Sequence, residues 1–194
     1  PETGLLLALG LPWLAALGVL AAGRRPDLRD GFSSGMTLCT FAAVACLVPA
    51  VSAGARPAWI GPELLPGLAI AFEVEPLGLL FGLVASGLWI ATAIYAVGYM
   101  RGHHEERQTR FYTCFALSIA AALGIAFSAN LATLFLFYEF LTFATYPLVT
   151  HHGTPAAVIM AVTHAIAHTY PGPATPPGEL LSHVNRTLSA TYTA

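Results

Sequence analysis

The chain has 194 residues, of which 56% are hydrophobic and 9% charged, and its mean hydropathy is +0.69. That composition excludes an ordinary soluble globular domain and points to an integral membrane protein. A net charge of −2 with no basic cluster excludes nucleic acid as a partner, because phosphate binding needs several clustered cations.

A membrane helix needs about 20 mostly apolar residues, and five runs reach that length: Gly4 to Ala22, Gly35 to Ala53, Leu79 to Met100, Phe111 to Phe127 with flanking sequence, and Leu131 to Thr150. The first run lacks the basic flank and small-residue cleavage site of a secretory signal, so it reads as a retained anchor. Pro12, Pro49 and Pro147 fall inside or near the ends of these runs and predict kinks or end turns. Only Ser128-Ala129-Asn130 separates the last two runs, which predicts an antiparallel pair of neighbouring helices.

Arg24, Arg25 and Arg29 follow the first helix, and Arg101, Arg107 and Arg110 follow the third. The stretch from Ala55 to Gly78 has Arg56 as its one cation, beside Glu63, Glu73 and Glu75. By the positive-inside rule the two arginine-bearing loops are cytoplasmic and the N-terminus is outside. The outer stretch is rich in Pro and Gly and alternates apolar residues near Leu68 to Val74, as a short hairpin or an irregular cap would.

Within the fourth helix Ala120, Gly124 and Ser128 recur at spacings of four, a small-residue face that lets another backbone approach closely. Trp13, Trp59, Trp89, Tyr99 and Tyr112 fall mostly toward predicted helix ends and read as interfacial anchors. Cys39, Cys46 and Cys114 lack metal-ligand spacing and read as small buried or lipid-facing side chains.

After Thr150 the character changes. Residues 156–170 read as a short apolar helix, marginal for spanning, that carries His164 and His168. Residues 171–194 hold a Pro-rich linker, then Leu180, Leu181, Val184 and Leu188 on one face of an amphipathic tail helix suited to a membrane surface or a partner. The expected architecture is all-α: five transmembrane helices plus a short sixth or interfacial helix, with the N-terminus outside.

Glu139 lies in the middle of the fifth run, where a charge costs about 2.5 to 3.5 kcal/mol on insertion scales and usually has a task. Burial raises a carboxyl pKa and a nearby cation lowers it, so such an acid can serve as a proton or cation site. The alternative is an acid hydrogen-bonded to its surroundings through Tyr138, Thr142 or Thr145. A lysine partner has no source in this sequence, which contains none. His164 and His168 share a helical face and are weak metal candidates, because no acid or cysteine lies near them to complete a zinc site. His103 to Arg107 reads as a solvated charged loop, and Asn185-Arg186-Thr187 as a chance match to a glycosylation acceptor. No phosphate-binding loop, nucleophile elbow or catalytic carboxylate pair is present, so no enzyme activity and no cofactor are expected.

The run Phe72-Glu-Val-Glu-Pro-Leu-Gly-Leu-Leu-Phe81, then Ile94-Tyr-Ala-Val-Gly-Tyr-Met100, and the stretch from Phe111 through Asn130 to Pro155 resemble the antiporter-like membrane subunits shared by respiratory complex I and multisubunit Mrp-type cation/proton antiporters. The likeness covers roughly residues 4 to 155, taken as the N-terminal part (1–155) of an antiporter-like domain, and is closest to the D-type Mrp subunit. It implies that Glu139 stands at the acid position of the family's fifth helix, which pairs with a lysine on a later helix. The family's full subunit has about fourteen helices in inverted repeats with polar sites near midplane. It further implies a bacterial-type cytoplasmic (inner) membrane and other membrane subunits, with lipid, as partners.

From His152-Gly-Thr-Pro155 onward the sequence departs from the family. The expectation is therefore a truncated antiporter-like subunit, accessory or structural in a larger complex, without a complete proton path of its own. One alternative is cation/proton transport in an assembly through Glu139. Another is a cofactor- or pigment-bearing electron-transfer subunit using the histidines, although none lies mid-membrane in the first five helices. A quinone or lipid site between helices is a further possibility that no residue marks.

Overall fold

The computed structural model describes residues 2–65, 68–103 and 107–149. It divides into two compact units, residues 1–145 and 146–194. The fold below is that of the first unit; of the second, the described residues are the last turn of one helix, and the short apolar helix, the proline linker and the tail lie outside the described residues.

Helices α1 (Glu2–Ala21), α2 (Pro26–Ala45) and the short α3 (Val48–Ser52) are followed by strands β1 (Ala58–Leu65) and β2 (Leu68–Glu73), then α4 (Pro76–Gly102), α5 (Gln108–Ala126) and α6 (Leu131–Val149). Five helical segments, counting α2 and α3 as one, are long and apolar enough to cross a membrane. A 20-residue helix is about 30 Å long, the thickness of the hydrocarbon core.

The second helix begins at Pro26 and not at Gly35, the expected start. Proline at the first position needs no helical partner for an N–H, and Asp27 in the first turn complements the positive end of the helix dipole. The chain turns at Cys46 and Leu47 before Pro49, and the helix restarts as α3.

The outer stretch folds as an antiparallel hairpin, pairing Ala58 with Glu73, Trp59 with Phe72 and Ile60 with Ala71, with irregular register beyond Ile60. Strand β2 is seated on the turn between α5 and α6. The amide of Glu73 donates to the Phe127 carbonyl at 2.8 Å, and that of Ala129 to the Ala71 carbonyl at 2.9 Å. Asn130 clamps the same junction: its side-chain oxygen accepts from the Thr133 amide, and its Nδ2 donates to the Ala69 carbonyl, both at 2.8 Å. The Thr133 hydroxyl accepts from the Ala71 amide at 3.0 Å.

Three buried layers stack along the bundle. At the hairpin end Leu5, Val44, Leu47, Phe72, Val74, Leu79, Leu123 and Phe127 pack together. The middle layer sets Trp89 among Ala15, Ala16, Ala93 and Ala116, small residues that let the helices close around one large ring. At the opposite end Val19, Ala96, Met100 and Tyr112 form the third. Trp89 is 1% exposed and Tyr112 2% exposed, so both are core residues and not the interfacial anchors expected from their nearness to helix ends. Helical phase decides this: Trp89 faces Phe115 edge-on at 6.5 Å.

Replacing Asn130 by Ala removes a helix cap and a strand contact together and should lower stability by about 1–2 kcal/mol. Asn130→Asp, which keeps the cap, should recover part of the loss. Thermal unfolding in detergent, followed by circular dichroism, checks both; equal melting of all three chains would show that the hairpin seat contributes nothing.

Candidate functional site

Within the first unit, residues 131–145 of helix α6 pack on the other elements along one side. Thr133 and Ala144 are buried, the Phe137 ring meets Phe72 edge-on at 5.4 Å, and Phe140 lies 4.9 Å from Trp13 of α1. At about 100° per residue, Glu139 points well away from that side. Its neighbours one turn before and after, Phe135 and Phe143, are 62% and 74% exposed. Glu139 is half-buried and forms no hydrogen bond or ion pair among the described residues. Thr142 and Thr145 donate their hydroxyls to carbonyls of their own helix, Thr142 to Tyr138 and Thr145 to Leu141. The hydrogen-bonded alternative through these threonines is therefore not the arrangement found.

The small-residue face of α5 is occupied, but not as expected. Ala120 and Gly124 are buried, and a Cβ on Gly124 would collide with the Phe137 ring, so an aromatic side chain enters there and not a backbone. A backbone does come close at Ser128, which bridges to Phe72 of β2. The Ser128 hydroxyl donates to the Ile125 carbonyl at 2.8 Å. His164 and His168 lie outside the described residues, and no group of three or more metal-ligating side chains occurs among the described ones.

A second polar site, read from sequence only as loop charge, lies where α2, α4 and α5 meet. Arg29 and Asp30 are each 4% exposed. Arg29 donates through Nε to Asp30 at 2.8 Å, through Nη2 to Gln108 at 2.7 Å and through Nη1 to Thr109 at 3.4 Å. Its guanidinium carbon sits 5.1 Å from the centre of the Tyr112 ring, a cation–π contact away from water. The other Asp30 oxygen accepts from Nε of Arg101 at 2.8 Å, and Arg101 also reaches Asp27 at 2.8 Å. Gln108 in turn donates to the Met100 carbonyl at 3.1 Å. The clue in the sequence was Pro26 followed by Asp27, a helix-start signal that extends α2 through the charges; the partner Arg101 is distant in sequence and carries no such mark.

No family model matches the chain. Over 84 residues, 43% of this chain, it is 32% identical to the Na(+)/H(+) antiporter subunit A1 of Staphylococcus aureus strain bovine RF122 / ET3-1, and to the same degree to that of strain JH9. The match spans 10% of the length of those relatives. Among solved structures, a chain of the membrane-bound sulfane sulfur reductase, an archaeal respiratory membrane complex, superposes with a TM-score of 0.74 at 19% identity, covering 87% of this chain and 34% of that one. A chain of the Mrp complex from Dietzia sp. DQ12-45-1b gives a TM-score of 0.63 at 18% identity, covering 97% and 40%. The protein is thus mostly helical, with the fold of a subunit in such membrane complexes and partial sequence homology to an Mrp-type antiporter subunit.

Asp30→Ala would leave Arg29 buried without its anion and should cost about 3–5 kcal/mol, whereas replacing the pair together, Arg29→Met with Asp30→Leu, should recover most of it. Yield and melting temperature in detergent measure both. A single substitution as mild as the double one would show that water or lipid already solvates Arg29.

Proposed function

We propose that this chain is an antiporter-like structural component of a multisubunit membrane complex, with no catalytic chemistry and no complete proton path within these 194 residues. The observation that carries the reading is the placement of Glu139. An acid in a membrane-spanning helix, on a face lined by exposed Phe135 and Phe143 and with no ion pair among the described residues, is suited to meet a charge brought by a neighbouring segment or subunit. The sequence has no lysine to supply that charge, and its arginines within the described residues stand at helix ends or in loops.

The fold likeness to a chain of an Mrp complex and the partial homology to a Na(+)/H(+) antiporter subunit support a cation/proton antiporter as the host assembly. The D-type likeness of the helix motifs is part of this proposal, against the A1 designation of the relatives that match. A second reading, ion movement through Glu139 once assembled, is favoured by the same acid, which has no ion pair among the described residues.

The complex that copurifies with the chain in mild detergent should contain other membrane subunits of a cation/proton antiporter. In vesicles reconstituted from it, Glu139→Gln should leave assembly intact and cation-dependent proton flux within about twofold of the parent. A loss of tenfold or more with assembly intact would replace the structural role with the transport reading, since removing a group essential to a proton step typically costs at least that much.

A further inference from the structure

Beside the buried Arg29–Asp30 pair, an open cleft of about 350 Å³ runs between α2 and α4. Its polar end is formed by Asp27, Asp30 and Arg101, and its apolar wall by Gly31, Ile94 and Val97. This end of the bundle carries Arg24, Arg25, Arg107 and Arg110 and is the one the positive-inside rule assigns to the cytoplasm. The cleft thus joins a charged rim at a bilayer boundary to an apolar surface below it. Ile94 is 65% exposed, and Ile90 and Gly87, one and two turns deeper on the same face of α4, are partly exposed, so the wall continues along the helix as a track for a hydrocarbon chain. On the α2 side the track is lowered by Gly31 and Gly35, at each of which an added Cβ would meet nothing within 4 Å.

The charges at the rim are of both signs, and their valences are unevenly used. Asp30 is neutralised by buried Arg29, which leaves Asp27 and Arg101 as the balanced pair facing the opening. Arg101, 46% exposed at its side chain, commits Nε to Asp30 and Nη2 to Asp27 and Asp30, so among the described residues the two N–H groups of Nη1 remain for another acceptor. Asp27, 93% exposed, is held to Arg101 through one oxygen and, among the described residues, keeps the other for a donor.

We propose that this cleft binds a phospholipid bearing a phosphate ester and a primary ammonium, that is, a phosphoethanolamine headgroup. The phosphate takes Nη1 of Arg101, the ammonium donates to the free oxygen of Asp27, and an acyl chain follows Val97 and Ile94. Other headgroups match less well. A trimethylammonium has no N–H to give Asp27, and a headgroup with only negative charge sets its phosphate beside the Asp27 carboxylate without compensation.

The test is native mass spectrometry of the purified full chain in detergent, titrated with phosphatidylethanolamine, phosphatidylcholine and phosphatidylglycerol of identical acyl chains. Retention of the ethanolamine lipid should exceed that of the other two by about fivefold, the order expected of one additional exposed charged contact. Gly31→Leu, whose Cβ enters open space and which should not lower the melting temperature, should reduce retention of the ethanolamine lipid to the level of the choline lipid. Asp27→Asn should abolish the preference for ethanolamine over choline while leaving phosphate binding. Equal retention of the three lipids, stronger retention of phosphatidylglycerol, or an ethanolamine preference that survives both substitutions overturns the proposal. Displacement of the lipid by millimolar free phosphoethanolamine, but not by inorganic phosphate, would assign the cleft to a soluble solute and likewise overturn it.

Discussion

Asp30 is shared by two arginines from different parts of the chain, and the arginine-rich end of the bundle is organised around that sharing. One carboxylate oxygen takes Arg29 and the other takes Arg101, while Arg29 lies over the Tyr112 ring. A guanidinium removed from water is tolerable only when its donors and its charge are met; here α2 supplies Asp30 and α5 supplies Gln108, Thr109 and the Tyr112 ring, while Arg101 of α4 takes the other Asp30 oxygen. The start of α2 is therefore tied to the end of α4 and to the first turns of α5. This constraint explains why a segment as polar as Pro26 to Ser34 can be helical and partly buried at a membrane boundary.

The opposite end is held by different forces. There the hairpin is stitched to the α5–α6 turn mainly by backbone hydrogen bonds and by Asn130 and Thr133, above a layer built from Leu, Val and Phe. Its ion pairs, Arg56 with Glu73 and Glu75, are exposed, and exposed pairs contribute little, about 0–1 kcal/mol. Between the two ends, alanines on three helices allow close approach around Trp89. The bundle thus changes its adhesive along its length, from shared charge through small-residue packing to strand pairing.

The apolar runs made the five long helices legible, because a stretch that must avoid water while satisfying its own backbone has few other options. The alternation near Leu68 to Val74 fitted a hairpin or an irregular cap, and the seat of the hairpin on Phe127 and Ala129 depended on a contact between distant segments. Two kinds of feature stayed hidden. The first was helical phase: Trp89 and Tyr112 are of a type favoured at interfaces, yet their angular positions turn them inward. The second was pairing at long range: Arg29, Asp30 and Arg101 read singly as topological charges because nothing local reveals that they meet. Glu139 was found from sequence because an isolated acid in an apolar run needs no partner to be conspicuous. That the Thr142 and Thr145 hydroxyls turn to carbonyls of their own helix could be learned only from the structure.

Helix α6 presents most of its large side chains outward, with Leu131, Phe135 and Phe143 each more than half exposed and Glu139 on that same outward-turned side. In a bilayer, lipid tails give apolar side chains no reason to leave, since tail and leucine are equally oily. Glu139 differs. The few kcal/mol that an acid costs in hydrocarbon are held by the isolated chain as unfavourable insertion free energy, and any neighbour offering a counter-charge or a hydrogen bond at that depth releases them on contact. One carboxylate thereby turns an otherwise indifferent lipid-facing helix into a directional driving force for association, selective for a surface with complementary polarity at the matching depth.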